Sequence, residues 1–188
     1  MKGFSRGLTG TGVGRRSVLR LGMAGLAGFA ASPALAAVGN VRERKLALHN
    51  LHTGETIRTT FWTDGVYQVD ALRDIDFVLR DFRTGDVTEI DPELLSLLHR
   101  ITQTTGVDKP FEVISGYRSP KTNAALASNS GGVAKRSLHM QGMAVDIRLP
   151  GMRLAHLRDA AKSLKTGGVG YYPKSNFIHV DTGNVRYW

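Results

Sequence analysis

The sequence is organised around the stretch Ser137-Leu138-His139-Met140-Gln141-Gly142-Met143-Ala144-Val145-Asp146, which the later segment Phe177-Ile178-His179-Val180-Asp181 completes. His139, Asp146 and His179 can together supply two imidazole nitrogens and one carboxylate oxygen to a metal ion. Three such ligands leave a fourth coordination position open, which a catalytic zinc site needs and a structural zinc site lacks. The pattern is therefore a candidate for a catalytic metal site.

The spacing of His139 and Asp146 is a weak signal when it is taken alone. On spacing only, a loop histidine and a surface aspartate are the favoured interpretation. The context is more informative, because the intervening Gly142 and Ala144 are small and allow a close approach of the backbone. Asp146 and His179 each lie between two apolar residues, so in a strand their side chains point away from the apolar side. The context favours a site on two facing strands with a loop histidine.

Length and composition limit the classes to which the protein can belong. The chain has 188 residues, of which 41% are hydrophobic, and this suits one domain with a core of its own. It has no cysteine, which excludes disulfides, cysteine-ligated zinc sites and thiol nucleophiles. The motif His-Glu-x-x-His is absent, so the common zinc protease helix is excluded as well.

The formal net charge of +9 is concentrated at the start of the chain. The first 36 residues contain five basic residues and no acidic one, and the remaining residues contain 20 basic and 16 acidic ones. That part of the chain is only mildly basic, and its basic residues are dispersed. We therefore expect no nucleic acid partner, whereas an anionic polymer remains compatible with the charge.

Residues 1–36 are predicted to be an export signal of the twin-arginine type. Arg15-Arg16-Ser17-Val18-Leu19-Arg20 precedes an apolar run over 21–31, and Ala34-x-Ala36 is a small-residue cleavage site. The apolar run is short for a membrane span, so we expect no stable span after cleavage; an uncleaved anchor is the alternative. The expected domain is then 37–188, working in the periplasm.

The rest of the chain mixes strand and helix patterns. Alternating residues predict strands, and apolar residues at three- and four-residue steps predict helices. The predicted strands cover 45–51, 56–62, 111–114, 145–149, 167–172 and 177–181, and the predicted helices cover 66–82, 92–105, 120–127 and 154–164. The fold class is therefore α+β, with a small antiparallel sheet that carries the metal site and is flanked by helices.

Three groups of residues carry a resemblance to a known family. They are Ser137-x-His139-x-x-Gly142-x-Ala144-x-Asp146, Ser115-Gly116-Tyr117-Arg118-Ser119 and Phe177-x-His179-x-Asp181. As a set they resemble zinc peptidases of the M15 type, which include D-Ala-D-Ala peptidases and murein endopeptidases and share a fold with the N-terminal domain of hedgehog proteins. The segments 50–55 and 168–173 and the ending 179–188 resemble the murein endopeptidase K branch in particular.

The resemblance implies roles for four residues. His139, Asp146 and His179 would bind one Zn²⁺ per chain and leave the open position for the attacking water, whose pKa falls toward about 7 in such sites. Arg118 would contact a substrate carboxylate or the developing oxyanion, since a guanidinium suits either task. The alternative for Arg118 is an ordinary ion pair at the end of a strand.

The general base is the point at which this chain departs from the family pattern. Many relatives place Glu three residues before the last zinc histidine, or His two residues before it, whereas this chain has Asn176 and Phe177 there. Asp181, two residues after His179, would lie on the same side of a strand and is the candidate base. The alternative is that Asp181 orients His179 as a metal ligand.

The expected function is that of a zinc-dependent murein endopeptidase. It would hydrolyse peptide cross-links between peptidoglycan peptide stems, including those that join two diaminopimelate residues, during cell wall remodelling. One alternative is a D,D-carboxypeptidase or D-Ala-D-Ala dipeptidase on the same fold. Another is a non-catalytic, zinc-containing protein that binds the cell wall, which the missing glutamate at position 176 keeps open.

Overall fold

A computed structural model describes residues 42–129 and 134–188, and the predicted signal over 1–36 lies outside them. In chain order the elements are β1 Glu43–Asn50, β2 Thr56–Thr63, β3 Val66–Tyr67, α1 Val69–Val78, α2 Pro92–Thr105, β4 Phe111–Ser115, α3 Pro120–Asn129, β5 Ala144–Arg148, α4 Leu154–Ser163, β6 Gly168–Tyr172, β7 Phe177–Asp181 and β8 Arg186–Tyr187. Short 3-10 turns cover Leu138–Gln141 and Pro173–Ser175. The mixture of helices and strands confirms the α+β class.

All strands of the described residues belong to one sheet in the order β3-β2-β1-β4-β5-β7-β6-β8. Strands β4, β5, β7 and β6 pair antiparallel, as predicted for the part that carries the candidate site. The sheet is larger than that part, because β1 pairs parallel with β4 and so joins the N-terminal hairpin to it. Strand β8 adds a second parallel pair at the far edge.

Helix α2 begins and ends where its sequence signals predict. Asp91 accepts a hydrogen bond from the N–H of Glu93 as the N-cap, and Pro92 occupies the first turn, where a missing N–H costs nothing. Gly106 ends the helix in the left-handed conformation with φ 65°. The helices α1 to α4 have 10 to 14 residues. Within the described residues none is long and apolar enough to cross a membrane.

Helix α1 is shorter than the predicted helix over 66–82. Val66–Tyr67 pairs with β2 as a strand, and the helix covers Val69–Val78. The chain then turns around the buried Asp81, whose carboxylate accepts hydrogen bonds from the backbone N–H of Ser119 and from the N–H two positions after itself. That tertiary contact competes with the helix, and the apolar spacing alone does not reveal it.

The core forms one cluster, to which the strands contribute alternate residues and helices α1, α2 and α4 contribute their apolar faces. The buried strand residues include Leu48, Val113, Val145, Ile147, Ile178 and Val180. Across β5 and β7, Val145 lies opposite Val180, and Ile147 lies opposite Ile178. Because side chains alternate along a strand, the residues between these pairs point to the other face of the sheet.

Candidate metal centre

The register of β5 and β7 places Asp146 directly opposite His179. Both side chains point away from the core because their neighbours on each strand point into it. A shift of one residue on either strand would separate the two groups onto opposite faces. The apolar pattern that fixes the register therefore also brings these two side chains together.

His139 reaches the same place from the 3-10 turn Leu138–Gln141. The turn ends at Gly142, which has φ 67°, and a side-chain carbon there would overlap the carbonyl oxygen of Glu89. Glycine meets both requirements because it has no Cβ. The carbonyl of His139 accepts a hydrogen bond from the N–H of Arg118 at 3.1 Å. The position of the turn is thus fixed by the close approach of Gly142 to Glu89 and by the backbone hydrogen bond between His139 and Arg118.

Three ligand atoms from the predicted metal set converge on one point. His139 Nε2 lies 3.2 Å from His179 Nδ1 and 3.3 Å from Asp146 Oδ1. His179 Nδ1 lies 2.9 Å from the same carboxylate oxygen. All three residues are buried. Each offers one atom to the cluster, and the three together could hold a metal ion.

The other nitrogen of each imidazole has a hydrogen-bond acceptor of its own. His139 Nδ1 lies 2.7 Å from the carbonyl oxygen of Gly116, and His179 Nε2 lies 2.9 Å from Asp181 Oδ2. A neutral imidazole carries one proton, and a metal ion binds the nitrogen that lacks it. With the protons on the nitrogens that face Gly116 and Asp181, His139 Nε2 and His179 Nδ1 present lone pairs to a metal, and this is how histidine ligands are commonly oriented.

The cluster of acceptors needs a positive charge. In this tautomeric state two nitrogen lone pairs and a carboxylate oxygen face each other in a buried place, and without a cation or an added proton they repel. Burial would raise the pKa of Asp146, but the two histidines outweigh it and hold that pKa well below its ordinary value. The donor set therefore fits a divalent ion, and mixed imidazole and carboxylate ligands suit zinc.

We expect zinc affinity to depend steeply on pH. Burial disfavours the charged form of His179, yet hydrogen bonds to Asp146 and Asp181 outweigh it and raise the pKa of His179 to about 8. Below that pH a proton competes for the nitrogen that a metal would use. Zinc affinity should therefore fall about tenfold for each pH unit below about 8 and stay constant above that pH. Competition with a chromophoric chelator measures this dependence.

The stability of the metal-free protein should change with pH in the opposite direction to the zinc affinity, so it should fall as the pH rises. A pKa raised above its ordinary value of 6.5 means that protonation of His179 stabilises the folded state. This contribution is fully present below the ordinary value and is lost as the pH rises through about 8. A zinc affinity that stays flat through this window, or a metal-free protein that gains stability there, would contradict the assignment of His179.

Asp181 lies behind His179 and is completely buried. Its Oδ1 accepts hydrogen bonds from the N–H of Gly168 and the N–H of Gly183, each at 2.9 Å. Its Oδ2 lies 2.9 Å from His179 Nε2 and 2.7 Å from Arg186 Nη2. Burial opposes the charge, but the hydrogen bonds to His179, Gly168 and Gly183 outweigh it and lower the pKa of Asp181 to about 2. The surroundings suit a fixed carboxylate that orients His179, the second of its two predicted roles.

Arg118 lies on the other side of the candidate metal ligands. Its side chain is buried, with Nη2 3.7 Å from Asp146 Oδ2 and Nη1 3.3 Å from Asn123 Oδ1. Its Nε is a buried donor without a hydrogen-bond partner among the described residues. A buried unpaired donor costs about 1–3 kcal/mol, and such a cost is commonly tolerated where a ligand supplies the partner.

These groups share a cavity of about 240 Å³. The cavity is lined by Arg118, Ala134, Arg136, Ser137, Leu138, His139, Asp146, Tyr172, Phe177, His179, Arg186 and Trp188. Sequence reasoning did not single out Tyr172, Arg186 or Trp188, although all three lie in the segments that resemble the family. A larger open groove of about 670 Å³ between β1, β2 and α2 contains none of the candidate ligands, so the smaller cavity is the candidate active site.

Comparisons with known proteins point to a peptidase family. The model of the family Peptidase_M15_2, described as Peptidoglycan L,D-endopeptidase MepK, matches residues 38–188. The peptidoglycan L,D-endopeptidase MepK of Escherichia coli strain K12 is 44% identical over 175 residues, which cover 93% of this chain and 96% of that protein. The protein of that name in Shigella flexneri gives the same values. A probable peptidoglycan L,D-endopeptidase MepK of Haemophilus influenzae is 43% identical over 155 residues. That match covers 82% of this chain and 83% of the Haemophilus protein.

Proposed function

The chain belongs to the family Peptidase_M15_2, and from this premise we propose that it is a zinc-dependent murein endopeptidase. Its relatives carry the name peptidoglycan L,D-endopeptidase. Its substrates are the peptide stems of peptidoglycan, in which it hydrolyses cross-links, including those between two diaminopimelate residues. The reaction adds water across a peptide bond and releases a carboxylate and an amine, so it opens the wall network during remodelling.

The observation that carries this proposal is the convergence of three ligand atoms in the cavity. His139 Nε2, His179 Nδ1 and Asp146 Oδ1 lie within 3.3 Å of one another. On the far side, the second nitrogen of each imidazole lies within hydrogen-bond distance of a separate acceptor, the carbonyl of Gly116 or the carboxylate of Asp181. Such a set would hold one zinc ion, and a zinc ion supplies a Lewis acid that activates water and polarises the peptide carbonyl.

The remaining polar groups of the cavity have roles that their own contacts support. The unpaired Nε of Arg118 offers a charge-assisted hydrogen bond to a substrate carboxylate or to the oxygen of the scissile carbonyl. Asp181 holds the Nε2 proton of His179 and so keeps Nδ1 free for the metal. As a general base it would first have to release Gly168, Gly183, His179 and Arg186, and we therefore propose the orienting role for it.

The place of action follows from the substrate. Peptidoglycan lies outside the cytoplasm, so we infer an exported, periplasmic protein. The twin-arginine pattern over 15–20 supports export in a folded state by that route. The family match begins at residue 38, close to the predicted cleavage after Ala36, and this supports a signal over 1–36 followed by a peptidase domain over 37–188.

The function is tested by incubating the mature domain with purified murein sacculi, once with zinc and once with a chelator. Cross-linked muropeptide dimers should be converted to monomers in the zinc sample only, as mass spectrometry of the digested products would show. Added zinc should restore the activity of the chelated sample, because all three candidate ligands belong to the chain and a chelator removes only the metal. Conversion that proceeds equally in the chelator would contradict a metal-dependent reaction.

The same products separate the alternative activities. Loss of a terminal D-Ala from uncross-linked stems, with dimers left intact, would indicate a D,D-carboxypeptidase or dipeptidase. Binding of the zinc-loaded protein to sacculi without any released fragment would indicate a wall-binding protein. Either result would replace the endopeptidase proposal, because both require that cross-links survive.

A further inference from the structure

Tyr172 lies on the face of the sheet that carries the candidate ligands. In the pairing of β6 with β7, Gly170 lies opposite His179 and Tyr172 lies opposite Phe177. Tyr172 is two residues beyond Gly170, so its side chain points to the same face as His179 and is its diagonal neighbour. Diagonal neighbours are about 7–8 Å apart at the backbone, a distance that an aromatic side chain spans.

The ring of Tyr172 is held on two sides. It stacks on the ring of Phe177 with centroids 4.7 Å apart and planes at 22°. Its hydroxyl oxygen accepts a hydrogen bond of 2.8 Å from Trp188 Nε1. A tyrosine with stacked ring and fixed oxygen has lost most of its rotamer freedom before any substrate arrives, which is the preorganisation that an active-site donor needs.

Trp188 is itself fixed by the sheet. Its backbone pairs with Val169 and Tyr171, and its indole lies over Gly170, where a Cβ would come within 2.7 Å of the ring. Its ring centroid is 5.4 Å from that of His179. The indole therefore fills the space beside His179, and the N–H that it presents to Tyr172 has a defined direction.

The contact with Trp188 decides which part of the tyrosine hydroxyl is available. The indole can only donate, so the oxygen of Tyr172 acts as the acceptor and keeps its own hydrogen as a donor. The described residues provide no acceptor for that hydrogen, while Tyr172 and Arg118 line the same cavity. The cavity thus has a neutral, oriented donor in addition to a charged one.

We propose that Tyr172 is a catalytic residue that donates a hydrogen bond to the oxygen of the scissile carbonyl as negative charge develops there. This inference rests on the proposed peptidase function. The oxygen of water bonds to the carbonyl carbon, the carbon–nitrogen bond then breaks, and a proton of that water ends on the leaving nitrogen to give the amine, while the proton of Tyr172 stays on Tyr172 throughout. Removing one such donor lowers kcat by about 10²-fold in well-studied cases.

The test replaces Tyr172 with phenylalanine, which removes the hydroxyl and keeps the stacked ring. With a purified cross-linked muropeptide dimer, kcat should fall about 10²-fold while KM changes about twofold or less. Zinc content and melting temperature should match those of the unaltered protein. The matched control is Tyr171→Phe, since Tyr171 points to the opposite face, where Arg158 covers its ring at 4.6 Å, and it should keep full activity.

Trp188→Phe provides a second, independent variant. It keeps an aromatic ring over Gly170 but removes the N–H that fixes the tyrosine oxygen, so kcat should fall about tenfold through poorer positioning. Combined with Tyr172→Phe it should add little, because both changes act on the same hydrogen bond. Full additivity of the two effects would overturn the coupling between the residues.

A phosphinate analogue of the cross-linked dipeptide supplies a readout that does not depend on turnover. Its tetrahedral oxygen mimics the developing charge, so Tyr172→Phe should weaken its binding by a factor similar to the loss in kcat. Unchanged kcat and unchanged analogue affinity would overturn the proposal, and so would a rise in KM alone. If the unaltered protein leaves the dimer intact, the proposed function fails. The analogue affinities of the two proteins still show whether the Tyr172 hydroxyl binds the tetrahedral oxygen.

Discussion

Replacing His139 with alanine is expected to remove zinc from the protein and to lower the rate of cross-link hydrolysis at least about 10³-fold. The variant keeps Asp146 and His179 opposite each other on β5 and β7, but two ligands bind a divalent ion far more weakly than three. The His139 side chain is buried, and its Nδ1 is held by the carbonyl of Gly116. Among the described residues no further His, Asp or Glu belongs to this ligand cluster, so none replaces the lost imidazole.

The measurement combines zinc content with product analysis on sacculi. We expect about one zinc per chain in the unaltered protein and almost none in the variant, by the logic of an open three-ligand site. His156→Ala is the matched control, because His156 is exposed on α4 and lies outside the cavity. A His139→Ala variant that releases fragments at the unaltered rate would refute the metal centre.

Asp181→Asn is expected to weaken zinc binding about 10- to 100-fold while leaving the sheet intact. The asparagine has the shape of the aspartate, but its amide can turn an N–H toward His179 Nε2. The imidazole proton then moves to Nδ1, the atom that faces His139 and Asp146, and the lone pair that a metal needs is lost. Wrong-tautomer effects of this kind are known from other histidine–aspartate pairs.

This variant also separates the two roles predicted for Asp181. An orienting carboxylate predicts weaker zinc binding and partial recovery of hydrolysis at high zinc concentration. A general base predicts normal zinc affinity together with an activity that zinc cannot restore. Chelator competition and rates at several zinc concentrations distinguish the two cases, and Asp70→Asn on the exposed side of α1 serves as control.

Removing the carboxylate altogether should lower the free energy of unfolding more than Asp181→Asn does. Asp181→Ala leaves the N–H groups of Gly168 and Gly183 without their acceptor. The donor of Gly168 is buried, and leaving it unsatisfied lowers the free energy of unfolding by about 1–3 kcal/mol, whereas Gly183 is only partly buried and water replaces part of its lost bond. Arg186 is partly exposed, so water compensates for much of its lost ion pair. Chemical denaturation of the metal-free variants measures the difference between Ala and Asn at this position.

Local sequence patterns predicted much of the fold. Asp91, Pro92 and Gly106 mark both ends of α2 because capping is a local interaction between a residue and its own helix. Alternation around Asp146 and His179 predicted the strands and the faces of those side chains. The predicted helix over 66–82 was wrong at both ends, because β3 pairs with β2 and Asp81 binds the distant Ser119. Neither contact has a signature in the apolar spacing.

By itself, the sequence determined that His139, Asp146 and His179 are of ligand type, that two of them alternate with core residues, and that no cysteine competes for a metal. Only the tertiary structure decided what surrounds them. It buries Asp181 among four partners, leaves Arg118 Nε unpaired, and sets Trp188 against Tyr172. The reason is physical: residue type and strand period are local properties, whereas proton position, burial and donor direction depend on groups brought together from distant parts of the chain.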